Sequence, residues 1–219
     1  MLTDRRIGDR RVIPPGFATP PVALEERRQS PRRALDRLQA ELVQKLEVLD
    51  LMLAGVQQAA AFERVLTQIA AHLAQDFHVG KDEVAILLLK DQGQFLRFAY
   101  PLEFYRGKLN FFPVTLPSVA GRVVRTRHGT VHNDMATIPH LHIYERIRVA
   151  DRPAQPIQKM VAAPLIHLNG DPVGVIEVCR KAATLREAGP DFTELDLLKL
   201  TDFVRILATY VVRFMPDDF

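Results

Sequence analysis

Met-Val-Ala-Ala-Pro-Leu-Ile-His-Leu-Asn-Gly-Asp-Pro-Val-Gly-Val-Ile-Glu-Val-Cys-Arg-Lys, residues Met160 to Lys181, is the stretch on which the fold turns. Two apolar runs flank Asn169-Gly170. Asn and Gly tolerate the positive φ that a two-residue hairpin turn demands, so the stretch reads as an antiparallel β-hairpin.

Downstream, Thr193 to Phe214 reads as a final helix capped by Asp191 or Thr193, lined by Leu197, Leu200, Val204, Leu207, Val211 and Phe214. Upstream, Thr130-Val131-His132 is a short strand ended by Asn133-Asp134, and a short helix is expected near Ile138 to Ile147. Pro117-Ser118 opens a helix that continues to Thr126, with Gly129 expected as its left-handed cap. Glu83 to Leu89 is a nearly continuous apolar run, as in a central strand. Asp91-Gln92-Gly93 turns it into Gln94 to Tyr100, and a further strand is expected around Leu109 to Val114. A helix over Ala60 to Phe77 carries Phe62, Val65, Leu66, Ile69 and Leu73 on one side.

Ser30-Pro31 reads as an N-cap and first helical residue. Leu35, Leu38, Leu42, Leu46, Leu49, Leu53 and Val56 follow at spacings of three and four, a stripe that suits either a partner helix or the chain's own core. The order of elements predicts an α+β fold: an antiparallel sheet flanked by helices, with long helices at both ends. The chain divides into a basic Pro/Arg-rich disordered arm over 1–30, an amphipathic helix over 31–57 and a sheet domain over 58–215.

The arm carries the net charge. Residues 1 to 37 hold nine Arg against five acidic residues, whereas the remainder holds 20 basic and 21 acidic groups. Arg5-Arg6 and Arg10-Arg11, and again Arg27-Arg28 and Arg32-Arg33, are pairs separated by three residues. The arm is either a solvated charged tail or an anion-binding segment, since paired guanidinium groups suit phosphates. No run of 18 apolar residues exists, so no membrane span is expected. The N-terminus lacks the apolar core of a secretory signal, and the single cysteine, Cys179, excludes an intramolecular disulfide. The expected setting is cytoplasmic.

Three segments in sequence resemble a GAF domain of bacterial type. They are Ser118-Val-Ala-Gly121-Arg-Val-Val-Arg-Thr126 with Gly129-Thr-Val-His-Asn133-Asp134, the 160–181 hairpin, and Arg180-Lys181 followed by Phe192-Thr-Glu-Leu-Asp196. The last is similar to the family's Asn-Lys…Phe-three residues-Asp-Glu signature, with Lys181, Phe192 and Asp196 in place. Arg180 stands where the Asn would be and Leu197 where the Glu would be. The resemblance implies a sensory or regulatory ligand-binding module and a Lys181–Asp196 salt bridge joining the last strand to the last helix. The two departures weaken the transfer of cyclic-nucleotide binding. Some members resemble methionine-sulfoxide reductases, which use several cysteines; one cysteine argues against that chemistry.

In a GAF-like arrangement Phe98, Phe112, Val119 and Ile138 would wall a pocket, and Ser118, Asn133, Asp134 and Tyr144 would supply its polar groups. Cys179 sits inside an apolar strand and reads as a buried, inert thiol. His132, His140 and His142 could share a metal or haem, or be polar loop residues; no established metal-ligand motif surrounds them. Glu26-Arg27-Arg28-Gln-Ser-Pro-Arg32-Arg33 looks like the Arg-x-x-x-Arg arm with which PilZ domains hold cyclic di-GMP, but the rest of that pattern is absent. The reading is a non-enzymatic sensory or coupling module. It would take an unknown small molecule, form a homodimer through its terminal helices and act on a signalling protein partner. The cofactor is unknown. The alternatives are a nucleotide second-messenger binder working through Arg27, Arg28, Arg32 and Arg33, and a metal or haem protein working through the three histidines.

Overall fold

A computed structural model describes residues 22–107, 110–142, 145, 154–217 and 219 of the chain, with side chains from residue 32 onward. Two units are distinguished, Met1–Arg37 and Leu38–Phe219. In the first, the backbone is helical from Val22, and this helix, α1, extends to Met52. The helix therefore begins well before Ser30-Pro31, and residues 22–30 are helical rather than part of an arm. Ala23-Leu24-Glu25-Glu26 and the arginines after them are strong helix formers. Pro31 has no N–H to give to the ladder. Arg27 and Arg28 lie on this helix, and Arg32 and Arg33 are exposed on it. The arm before Val22 lies outside the described residues.

In the second unit, helix α2 (Gln58–Phe77) precedes strands β1 (Val84–Lys90) and β2 (Phe95–Tyr100). A single helical turn α3 (Leu102–Tyr105), β3 (Phe111–Pro113), helix α4 (Val119–Thr126) and β4 (Thr130–His132) follow, and then β5 (Ile157–Ile166), β6 (Pro172–Lys181) and helix α5 (Glu194–Phe214). The strands form one six-stranded sheet in the order β3-β2-β1-β6-β5-β4, antiparallel throughout. The α+β expectation is thus met, with the 160–181 hairpin at the sheet's centre.

The hairpin's turn is longer than two residues. His167 N–H donates to Asp171 O at 2.8 Å, and Gly170 N–H donates to His167 O at 2.9 Å, closing a loop over Leu168, Asn169 and Gly170. Gly170 alone takes the positive φ, at 89°. Asn169 keeps an ordinary φ, and its side chain spans the loop to Asp171. A three-residue loop with glycine in the left-handed position preserves the hairpin's twist as well as the shorter turn does.

Both faces of the central strands are buried, and their side chains alternate between two apolar layers. Ile86, Leu88, Val161, Ala163, Ile176 and Val178 face α2 and α5, with Phe62, Leu66, Ile69, Phe203 and Leu207 packed over them. Leu87, Met160, Ala162, Val175 and Cys179 face the other way, toward α4 and its Val119, Ala120 and Val123. Leu42, Leu46 and Leu53 of the N-terminal stripe belong to the first layer. The stripe is therefore used within the chain, and Val48, Leu51 and Met52 remain exposed beside it. No helix among the described residues is long and apolar enough to cross a membrane.

Proximity requires glycine at several positions, Gly174 and Gly129 among them. A Cβ on Gly174, in mid-strand β6, would lie 2.1 Å from Leu87 O on β1. One on Gly129 would lie 2.6 Å from Leu197 Cδ1 and 2.9 Å from Ala162 O. Gly129 is thus a packing glycine; the left-handed cap of α4 is Arg127, at φ 59°. The contact at Gly174 is with backbone at the centre of the sheet and has little room to yield. Gly174→Ala is expected to cost about 3 kcal/mol or more, at the upper end of overpacking effects. Urea denaturation measures it, and a loss under ~1 kcal/mol would show that β1 and β6 can separate locally.

Candidate functional site

The sheet face under α4 gathers most of the residues expected to form a pocket. Phe98 is buried with Val119, and Phe112 and Ile138 are partly buried against the same cluster. Phe104 lies 4.9 Å from Phe98, centroid to centroid, and Phe112 lies 6.1 Å away. Met135, at 1% exposure, and Leu141 complete the group. Sequence reasoning passed over both, although Met135 directly follows the Asn133-Asp134 turn.

Three of the four polar candidates make structural bonds. Ser118 N-caps α4, its Oγ accepting from Gly121 N–H at 3.0 Å. Asp134 Oδ1 accepts from Ala136 N–H at 3.0 Å and turns the chain. Asn133 forms a two-way clamp: its Nδ2 donates to Phe192 O at 2.9 Å and its Oδ1 accepts from Phe192 N–H at 2.8 Å. Tyr144 lies outside the described residues.

The strand-to-helix tie also differs from the expected Lys181–Asp196 pair. Lys181 Nζ donates to Asp82 O at 2.6 Å, while Asp196 forms a capping box with Thr193 at the start of α5. The link between β5 and the segment leading into α5 is instead Lys159, whose buried Nζ reaches Gly189 O at 2.7 Å and Asp191 at 2.6 Å. Arg180, the departure from the family's Asn, donates to Phe77 O and His78 O at the end of α2 and stacks on Phe192. Leu197, the other departure, packs over Gly129.

The three histidines do not form one group. His132 Nε2 lies 2.6 Å from an Arg122 nitrogen and 3.0 Å from Thr130 Oγ1. Burial, and then the Arg122 charge, hold its pKa below the ordinary value. His140 and His142 instead converge on Glu145, their Nε2 and Nδ1 atoms 2.8 and 3.0 Å from its two carboxylate oxygens. The Ile157 N–H at the start of β5 donates to the same carboxylate at 2.9 Å. Burial disfavours the Glu145 anion, but the bonds from His140, Ile157 N–H and His142 outweigh it and leave the pKa below the usual value. The spacing His-x-His-x2-Glu was visible in the sequence, although it gave no sign that Glu145 would face both rings.

Glu177 is the polar exception in this apolar layer. It sits between Val175 and Cys179 on β6, is 4% exposed, and its carboxyl accepts from Ala120 N–H in the first turn of α4. Cys179 is buried beside it, as expected. A separate groove of about 600 Å³ lies at the other end of β5, bordered by Arg127, Ile166, Leu168, Leu198, Thr201 and Arg205.

The matching family model is the GAF domain, over residues 59–211. The chain belongs to the GAF domain family. GAF domains are sensory and regulatory modules of signalling proteins. Among solved structures, the GAF domain of an Acinetobacter phosphoenolpyruvate-protein phosphotransferase is 13% identical, with a TM-score of 0.57 over 82% of this chain and 94% of that one. The corresponding domain from Coxiella burnetii is 10% identical, with a TM-score of 0.55 over 82% and 93%. A GAF domain of A. aeolicus described in an inactive state is 16% identical, with a TM-score of 0.51 over 82% and 99%. At these identities the likeness is one of fold. No curated protein sequence matches the chain.

Burial raises the Glu177 pKa to about 7, against the opposing effect of the Ala120 N–H bond. The folded protein therefore holds this proton more tightly than the unfolded chain does. The stabilisation is fully present below the unfolded carboxylate value and is lost as pH rises through about 7. The shift is worth on the order of 3 kcal/mol. The stability difference between Glu177→Gln and the parent should therefore move in the variant's favour between about pH 5 and about pH 8. Thermal melts across that range measure it, and a constant difference would exclude the ionisation of Glu177 as a cause.

Proposed function

We propose that this GAF domain is a non-enzymatic regulatory module that takes a small molecule on its α4 face and passes the binding energy to its terminal helices. One observation supports this above the rest. The chain from Asn133 to Leu141 folds over the apolar cluster through Met135, Ile138 and Leu141 and is anchored at its start by the Asn133–Phe192 clamp. A ligand that displaced Ile138 or Leu141 would also load the clamp, and Phe192 directly precedes the cap of α5. A ligand shifts such an element only by its difference in affinity for the two arrangements. The buried Cys179 offers no accessible nucleophile, in keeping with a binding role.

Native mass spectrometry of the full chain, purified and then incubated with a metabolite extract, tests this reading. A retained organic molecule should be lost from Phe112→Ala and Ile138→Arg and kept by Leu198→Arg, which alters the groove beside α5. The opposite pattern would move the site to that groove. A chain that stays bare throughout would remove the ligand from the proposal.

The exposed side of α1 favours a second element of the reading, a homodimer through the terminal helices. Val48, Leu51 and Met52 are 44%, 79% and 70% exposed on the side of the helix not used by the core. Sedimentation equilibrium of the full chain should show a dimer that Leu51→Glu with Met52→Glu dissociates. A strict monomer at high concentration would discard this element. Action on a signalling partner and a cytoplasmic setting belong to the same proposal. The alternative of a second-messenger site on Arg27, Arg28, Arg32 and Arg33 finds no added support in the helical backbone of residues 22–30.

A further inference from the structure

We propose that His140, His142 and Glu145 bind a divalent first-row transition-metal ion. The donor set is two imidazole nitrogens and one carboxylate, and one atom from each residue lies within 4.8 Å of the others. His140 carries the argument. Its Nδ1 lies 2.8 Å from Ile138 O, a carbonyl that can only accept, so Nδ1 bears the proton. A neutral ring then presents the Nε2 lone pair to Glu145 Oε1, 2.8 Å away and also a lone-pair site. The two atoms repel unless a proton or a metal ion lies between them, and three further features favour the metal.

The first is convergence. The facing nitrogens of the two rings lie 2.8 and 3.0 Å from the two oxygens of one carboxylate, so a single ion can contact all three side chains at once, which a single proton cannot. The second is outer support. Metal-bound imidazoles characteristically donate their other N–H to a carbonyl or carboxylate, and metal-bound carboxylates are themselves hydrogen-bonded. Ile138 O does the first for His140, and the Ile157 N–H does the second for Glu145. The third is access. The His140 and Glu145 side chains are 6% and 17% exposed, whereas His142 is 71% exposed, so two ligands are fixed in protein and the third faces solvent.

Imidazole nitrogen with one carboxylate suits zinc, iron, cobalt or nickel rather than calcium or magnesium, which prefer oxygen throughout. Three protein ligands leave coordination positions open for water or for an anionic group of a ligand. His132 plays no part, since Arg122 and Thr130 occupy its Nε2. The site stands whether or not the α4 face takes an organic molecule.

Isothermal titration of the EDTA-stripped full chain with zinc chloride, and visible spectroscopy with cobalt chloride, test the proposal. One ion per chain should bind, and cobalt should show ligand-field bands. His142→Ala and Glu145→Gln should each weaken zinc binding at least ~100-fold, since changes to outer-sphere groups alone reach that range. His128→Ala, at an exposed histidine elsewhere, should leave the affinity unchanged. His142 is largely exposed, so its variant should melt with the parent in the absence of metal, and that match separates ligand loss from misfolding. A stripped parent chain that takes up neither ion would overturn the proposal and leave a protonated His140 beside Glu145. Zinc affinity undiminished in both variants would overturn it equally.

Discussion

The structure depends on three adjacent strands that have no solvent-facing side. β1, β6 and β5 place apolar side chains on both faces at the two-residue period of a strand. A sheet of this kind is stable only when both faces are covered, because each exposed face would forgo about 25 cal/mol for every Å² of apolar surface left in water. α2 and α5 cover one face, and α4 with the chain around it covers the other. The close approach of β6 to β1 at Gly174 follows from the same requirement, since a side chain there would part the two strands that hold the layers together.

The two coverings are unequal. α2 and α5 are long helices with broad apolar stripes and caps at the ends that meet the sheet. Arg180 fastens the carbonyl end of α2, and Lys159 fastens the segment leading into α5. α4 has only eight residues, so the rest of its face is closed by irregular chain carrying Met135, Ile138 and Leu141. Among its described residues, that chain is held by Met135 N–H to Gln158 O, the Asn133 clamp and the Glu145 carboxylate on Ile157. A covering built from side chains on a loop can be displaced at lower cost than one built from a packed helix.

Much of this was legible in the sequence because it rests on periodicity. The central hairpin, the apolar β1 and the stripe of α5 each follow from a repeat of two or of three to four residues. What was not legible depended on which neighbours would meet. Gly129 looked like a helix stop, yet it is the packing of Leu197 and β5 that requires it. Asn133 looked like a pocket group, and its amide instead copies a strand pairing with Phe192, 59 residues away. Lys181 and Asp196 fit a family pattern, but Lys181 reaches Asp82 O, 99 residues away, and Asp196 caps its own helix with Thr193. Pro31 misled in the other direction: a local helix-start signal was overridden by the helix formers before it.

Polar groups inside the α4 layer sharpen the distinction between structure and function. Glu177 could remain in an apolar strand because the first turn of α4 offers it an N–H and the favourable end of a helix dipole. The bond offsets part of the cost of burial, and the raised pKa reflects the rest. His140 is different. Its side chain is as buried as many core residues, yet its outward nitrogen meets an anion rather than a donor. A core histidine is usually settled by one carbonyl and one donor; among the described residues, His140 has the carbonyl and meets a carboxylate in the donor's place. The same chain that closes the apolar face thus carries an arrangement suited to a bound cation. An ion bound there would tie residues 138–145 to the first residue of β5 and set how easily that covering opens.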